Sequence, residues 1–279
     1  MHEHLRAAFA EVDITDFRGT QSAGDEARLV HEAIADGIET IVVAGGDGTW
    51  GKCAVALGKA GSPARMAFVA AGTGNDFAKN LRAPAKNLRA MAALIASGGA
   101  ERRVDLGRVD DAWFANVAGF GFDVACLHAS KRIPLLRGPA VYVAAALREL
   151  FGYRGLDARL GGTGETPERW QRRLMVVFAN GKEFGGTFRI APDARVDDGK
   201  LNAVVFNDFA KSQRVPLLVA ALIGTHVRSP LVRHVAAGEF TLECAEAPWV
   251  ELDGELHRAA APRVTIASLP GVLRVLDAV

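Results

Sequence analysis

The sequence predicts a chain in two parts: an N-terminal parallel-sheet α/β domain, then a C-terminal, mainly antiparallel β-rich domain. Three observations predict it. Two apolar runs, Ile41-Val42-Val43 and Ala67-Phe68-Val69-Ala70, each lead through a glycine turn into a helix-compatible segment, which is the order of a parallel sheet. Beyond Gly99 the texture changes to many strand-length runs with few helices. Apolar residues make up 49% of the 279, enough to fill a core in each part.

The elements follow in order. Leu5–Val12 reads as the tail of a helix, so the chain is expected to begin past the first strand of its α/β unit. Asp13–Gly24 is turn-rich. Asp25 and Glu26 open a helix where its dipole favours acids, Ala27, Val30, Ala33 and Ile34 form its apolar stripe, and Gly37 stops it. The first strand–turn–helix unit has Gly45-Gly46-Asp47-Gly48-Thr49 as its turn and Trp50–Ala60 as its helix. The second has Ala71–Asp76 as its turn and Phe77–Leu81 as its helix. Asn87–Ala96 is a further helix. Arg103–Val109 and Trp113–Val117 flank Asp110-Asp111 as a hairpin. Asp123–Arg132 and Pro139–Phe151 read as helices. Strands are expected at Tyr153–Leu160, Arg172–Ala179, Leu201–Phe206, Glu239–Cys244, Pro248–Leu252 and Arg263–Ala267, with an amphipathic helix at Ser212–Val227. Gly161–Glu168 is a loop tip. The domains are expected to span 1–102 and 103–267, with 268–279 returning to the first.

Composition narrows the function classes. A net charge of +1 argues against a dedicated nucleic-acid binder. Cys53, Cys126 and Cys244 form neither a CxxC nor a zinc pattern, so a reduced, cytoplasmic setting is expected. The longest apolar runs fall short of the roughly 20 residues that span a bilayer. The seven histidines have no ligand spacing, and there is no GxSxG elbow for Ser/His/Asp catalysis.

The glycine turns place backbone N–H groups at helix N-termini, where phosphate can bind. Gly46–Cys53 matches GxxxxGK, but Cys53 stands where a P-loop needs a Ser or Thr hydroxyl, and Asp47 puts a carboxylate among the phosphates. Gly72-Thr73-Gly74 lacks the third glycine of a dinucleotide fingerprint. As glycine runs alone, both are better explained as tight turns closing βα units, because such turns are common.

The set of motifs is more specific than any member. GGDGT at Gly45–Thr49 and GTGNDFA at Gly72–Ala78, then Val104-Asp105-Leu106-Gly107, Phe114–Asp123 (FANVAGFGFD), Ala191-Pro192-Asp193 with Asp197–Leu201 (DDGKL), and Asp253-Gly254-Glu255 stand in one order along nearly the whole chain. Together they resemble the catalytic domain of the diacylglycerol kinase family, which includes soluble bacterial lipid kinases, sphingosine kinases and ceramide kinases. The resemblance implies an α/β domain like that of NAD kinases and phosphofructokinases, a β-rich second domain, and γ-phosphoryl transfer from ATP to a lipid hydroxyl at a site between them.

Residue roles follow from the resemblance. Gly45, Gly46, Asp47, Gly48 and Thr49 would cradle ATP, with Thr20, Thr73 and Asn75 also at the nucleotide. Asp47, Asp76 and Asp105, as three carboxylates at strand ends, would hold Mg²⁺. Glu255 would be the general base, with Asp47 beside it in the catalytic set. A structural Mg²⁺ would use the Asp198 carboxylate with the main-chain carbonyls of Arg195 and Lys200. Taken singly, Asp76 reads better as a helix cap and Asp105 as a hairpin-strand surface charge; Glu255 has the alternative of an exposed turn acid, and Asp198 reads about equally as a solvated turn. The family's first strand and NPxSG-like loop have no counterpart here. Lys131, Arg132 and Arg137 beside Ile133, Leu135 and Leu136 could meet an anionic membrane, although a plain solvated helix end explains them better.

The expectation is an ATP- and Mg²⁺-dependent lipid kinase, cytoplasmic and peripheral to the membrane, with diacylglycerol as the leading lipid alcohol and no nucleic-acid partner. Whether it forms a homodimer stays open. The rivals are an NAD kinase-like enzyme, which shares GGDGT, and an inactive nucleotide-binding regulator.

Overall fold

A computed structural model describes residues 2–130, 139–162 and 168–278. The chain divides into two compact units, residues 1–104 with 271–279, and residues 105–270. Two strands, β3 (Ala100–Val109) and β13 (Arg263–Asp277), run through the points of division.

In the first unit, β1 (Thr40–Gly45) and β2 (Arg65–Ala70) pair in parallel from Thr40↔Arg65 to Gly45↔Ala70. β2 pairs in parallel with the end of β13 at Arg274 and Val275. Strands in parallel register put the C-terminal ends of β1 and β2 on one edge, so both glycine turns emerge side by side. α1 (His2–Ala10), α2 (Asp25–Ala35), α3 (Asp47–Lys59) and α4 (Leu88–Ala96) accompany the sheet. Phe9, Ala67, Val69, Met91 and Leu276 form one apolar cluster. Trp50 is a core residue: its indole N–H donates to the Val43 carbonyl at 3.1 Å, and its ring meets Phe68 edge-on at 5.3 Å.

In the second unit the strand pairings described below are antiparallel. Its strands are β4 (Ala112–Phe114), β5 (Val117–Gly121), β6 (Leu156–Gly162), β7 (Gln171–Ala179), β8 (Leu201–Asn207), β9 (Val232–Ala237), β10 (Glu239–Cys244), β11 (Trp249–Leu252) and β12 (Glu255–Arg258). From the start of β13 the order runs β10, β6, β7, β5, β11, β12, with β8 and β9 branching from β7. Side-chain alternation gives β7 and β8 two buried faces. Val176, Phe178, Ala203 and Val205 join a cluster made only of strand residues. Val177, Ala179, Val204 and Phe206 join one shared with the helices α5 (Phe122–Ser130), α6 (Pro139–Glu149) and α7 (Lys211–Ile223). This explains why β7 and β8 read as continuous apolar runs.

The structure departs from the sequence reading at four places. The segment after the second glycine turn is a single 3₁₀ turn, Phe77–Asn80, because Pro84 disfavours helix just ahead of it and an outside side chain takes its N-terminal donors. β13 runs for 15 residues where the sequence suggests a stop near Ala267. The strand passes through Pro270-Gly271, where Gly271 takes a positive φ of 61°. β9 and β12 are strands that the sequence pattern does not announce. Asp105 lies inside β3 and is buried, neither at a strand end nor on the surface. The basic cluster at Lys131, Arg132 and Arg137 lies outside the described residues.

The glycine of the VDLG motif has a packing cause. A Cβ on Gly107 would sit 2.1 Å from the Phe114 ring across the β3–β4 hairpin, where Gly107 and Phe114 are register partners. Phe114 is fully buried, so it cannot swing aside. Gly107→Ala is therefore expected to lower the unfolding free energy by about 2 kcal/mol, measured by urea denaturation.

Candidate functional site

The first group of motif residues forms around the two glycine turns. Gly46 is the N-cap of α3 in an extended conformation, and no side chain caps the helix. The opening N–H groups of α3 thus point outward without an intrahelical partner. Gly72 lies against Gly46: a Cβ on Gly72 would stand 2.6 Å from the Gly46 Cα, and one on Gly46 would stand 3.1 Å from the Gly72 Cα. Ala71 N–H donates to the Gly45 carbonyl at 2.8 Å. The two turns touch backbone to backbone, and only glycine permits it. Gly48 faces open space.

Two of the expected ligand residues hold these turns together. Asn75, buried with φ 54°, closes its own turn: Nδ2 donates to the Gly72 carbonyl at 2.8 Å and Oδ1 accepts from Gly72 N–H at 3.2 Å. Asp47 Oδ1 accepts from Asp76 N–H at 2.6 Å and from Phe77 N–H at 3.4 Å, so the first turn caps the second. Burial, and after it the negative charge of Asp76, raises the Asp47 carboxyl above its ordinary value. Asp76 is itself buried and pairs with Lys79 Nζ at 2.8 Å. Thr49 and Thr73 sit in the same turns. Thr20 lies exposed in the irregular segment between α1 and α2.

This corner fits nucleotide phosphates: its open helix N-terminus supplies N–H donors, and a Cβ-free contact exposes the backbone. It also suits Mg²⁺ chemically, since two adjacent carboxylates repel each other and Mg²⁺ commonly takes one or two carboxylates plus phosphate oxygens. Among the described residues, no group of three or more His, Cys, Asp and Glu side chains is placed to hold a metal.

Asp105 belongs to the second unit, with the DG turn. Its Oδ2 accepts from Gly199 N–H at 2.7 Å, and its own N–H donates to Val196 O at 2.6 Å. Gly199 takes φ 70°, and Asp198 Oδ1 accepts from Lys200 N–H at 3.0 Å, so Asp198 closes a local turn. Arg195 and Lys200 are exposed. Asn180 links Asp105 to the FANVAGFGFD segment: its Nδ2 donates to the carbonyls of Asp105 at 2.7 Å and Ala115 at 2.8 Å.

Glu255 opens β12 and is exposed. The turn before it has both central residues at positive φ, Asp253 at 48° and Gly254 at 91°, the geometry of a two-residue Asp-Gly hairpin. The Asp253 carboxylate accepts from the N–H groups of Ala115 at 2.5 Å, Asn116 at 2.9 Å and Val117 at 3.0 Å. Sequence reasoning assigned no chemistry to two nearby residues, Asp123 and Glu251, which are both buried. Asp123 was visible as the last letter of the FGFD motif. Glu251 had no signal, because its burial comes from strand pairing.

Beneath α5 and α7 the second unit encloses an apolar cavity of about 60 Å³. Phe122, Leu150, Phe206 and Leu217 are among its walls, together with Asp123 and Arg214. Arg214 is spoken for: it donates to the carbonyls of Leu150 at 2.7 Å and Tyr153 at 2.9 Å, and to Asp208.

Comparison with known proteins gives two family models that tile the chain. The diacylglycerol kinase catalytic domain matches residues 1–109, and the YegS C-terminal NAD kinase beta sandwich-like domain matches residues 116–277. A Pseudomonas putida protein named "Probable lipid kinase YegS-like" is 33% identical over 277 residues, covering 93% of this chain and 86% of that protein. A Mycobacterium tuberculosis diacylglycerol kinase is 30% identical over 270 residues, covering 95% and 85%. A crystal structure of a diacylglycerol kinase from Bacillus anthracis shares the fold, with a TM-score of 0.75 at 20% identity over 99% of this chain and 91% of that one.

The glycine contact makes a direct expectation. Gly72→Ala forces two backbones apart and should cost about 1–3 kcal/mol of stability by chemical denaturation. Gly48→Ala faces open space in the first turn of a helix and should leave stability unchanged or slightly higher.

Proposed function

The chain belongs to the diacylglycerol kinase family of lipid kinases, and from that premise we propose that it transfers the γ-phosphate of ATP to the hydroxyl of diacylglycerol. The observation that carries the lipid acceptor is the apolar cavity in the second unit, whose walls suit an acyl chain. The unfilled N-terminus of α3, backed by the Gly46–Gly72 contact, supports phosphate binding.

In this reading the N–H groups at the start of α3 hold and orient the phosphates. Asp47, and beside it Asp76, would hold Mg²⁺. When bound, that ion offsets the negative charge on the phosphate oxygens. The Glu255 carboxylate is the base that takes the proton from the lipid hydroxyl, and it stands exposed, where a hydroxyl can reach it. The hydroxyl oxygen then bonds to the γ-phosphorus as ADP leaves. Asp253 is not a competing base, because three backbone donors already occupy its carboxylate. Asp105 and Asp198 are assigned to the structural turn around Gly199, where a second Mg²⁺ would use Asp198 with the carbonyls of Arg195 and Lys200.

We also place the protein at the cytoplasmic membrane face. No described helix is long and apolar enough to cross a membrane. On α7, Val215, Val219 and Ile223 are exposed at helical spacing, which supports a peripheral contact with lipid.

The test is phosphate transfer from ATP to micellar diacylglycerol and other lipid alcohols. Glu255→Gln and Asp47→Asn should each lower kcat by roughly 100-fold or more; wild-type turnover by either would remove its assigned role. Ala221→Leu, which intrudes on the cavity, should raise KM for long-chain diacylglycerol while leaving KM for ATP unchanged. Equal effects on both substrates would count against the cavity as the acyl site.

A further inference from the structure

Asp123 and Glu251 are two buried acids without a role in the reading above. They meet through strand register. β5 pairs with β11 so that Gly119 lies opposite Glu251. Asp123, in the first turn of α5, folds its carboxyl back over Gly119: a Cβ there would fall 1.7 Å from Asp123 Oδ2. The glycine leaves the space in which the Asp123 carboxyl approaches Glu251, so the two side chains come within reach of a shared hydrogen bond.

That bond needs a proton, because two carboxylates only accept. Neither Asp123 Oδ2 nor Glu251 Oε2 has a donor from any other residue, although both atoms are fully buried. The only arrangement that satisfies them places one proton between the pair. Glu251 is the better holder. Burial and the neighbouring Asp123 charge push its carboxyl well above the usual range, while burial takes Asp123 up to about 6. The other oxygen, Glu251 Oε1, accepts from Gly254 N–H. Gly254 is the residue between Asp253 and Glu255 in the turn.

We propose that Glu251 and Asp123 are positioning residues: Glu251, protonated, grips the Asp253–Gly254–Glu255 turn from below through Gly254 N–H, and Asp123 fixes Glu251 by accepting its proton. This rests on Glu255 being the base. Asp253 anchors one side of the turn to Ala115–Val117, and Glu251 anchors its middle, so Glu255 leaves the turn in one direction. Neither acid touches the reacting atoms in this role. An exposed base on an untethered two-residue turn would sample many orientations, and proton transfer needs one.

The two neutral replacements separate this role from simple packing. Glu251→Gln keeps an oxygen for Gly254 and offers an N–H₂ donor to the Asp123 carboxylate, so kcat should stay within about threefold of wild type. Glu251→Leu keeps the volume and loses both bonds, so kcat should fall about tenfold or more while KM for ATP and diacylglycerol changes by less than about twofold. A folded Glu251→Leu with wild-type kcat would overturn the proposal, as would a Glu251→Gln as impaired as the Leu variant. Should Glu251→Leu not fold, the Gln variant decides alone: wild-type kcat supports the proton-sharing tie, and a tenfold loss removes it. Amide hydrogen exchange over residues 252–256 keeps this distinct from the kinase reading. A wild-type protein inactive on every lipid alcohol would remove that reading. Exchange in the turn that is no faster in Glu251→Leu than in wild type would remove the tie.

Discussion

The carboxylate of Asp253 is the interaction on which the second unit's candidate site depends. A buried backbone N–H without an acceptor is costly, and Ala115, Asn116 and Val117 present three in a row where the chain passes from the end of β4 into β5. One side chain from the far end of the sequence satisfies all three. It fixes the β11–β12 turn to the start of β5, and Asn180 fixes the same segment to Asp105 through two carbonyls. The motifs FANVAGFGFD, DGE and VDLG, scattered through the chain, are therefore parts of one hydrogen-bonded assembly.

The acids of the protein separate into kinds by what surrounds them. Asp253 and Asp105 are acceptors of backbone donors and serve as caps. Asp47 does both: it joins two glycine turns through Asp76 N–H, and its carboxyl is raised by burial and by a like charge, the environment in which a cation would be welcome. Asp123 and Glu251, in the proposed tie, resolve the same repulsion with a proton. Glu255 is exposed. Residue type alone would have made these groups equivalent; burial and partners make them different, as in enzymes that draw distinct roles from chemically identical groups.

The glycines are equally specific in cause. Gly46 and Gly72 allow two backbones to touch, Gly107 accommodates the Phe114 ring, and Gly119 accommodates the Asp123 carboxyl. Of these, Gly46 and Gly72 border the proposed phosphate corner, while the others serve packing and the buried acid pair. A motif glycine is thus no pointer to a ligand by itself.

Local features were legible from the sequence. Strand–turn–helix order revealed the parallel sheet, alternating runs revealed the antiparallel part, and the ordered set of motifs revealed the family, because each depends on neighbours a few residues apart. Long-range pairing was not legible. That β13 continues through Pro270-Gly271 is settled by its pairing with β2 at Arg274 and Val275, which supplies partners a lone Pro-Gly sequence does not advertise. That Asp105 sits buried against Gly199 depends on a contact 94 residues away. The acid pair depends on Gly119 standing opposite Glu251, a matter of register between strands far apart in the chain. The sequence by itself determined the fold class, the family and the glycine corner; the tertiary structure alone decided which acids are capped, which are coupled and which stays in water, since a carboxyl's chemistry is set by the donors, charges and burial around it, and those come from contacts the linear order does not contain.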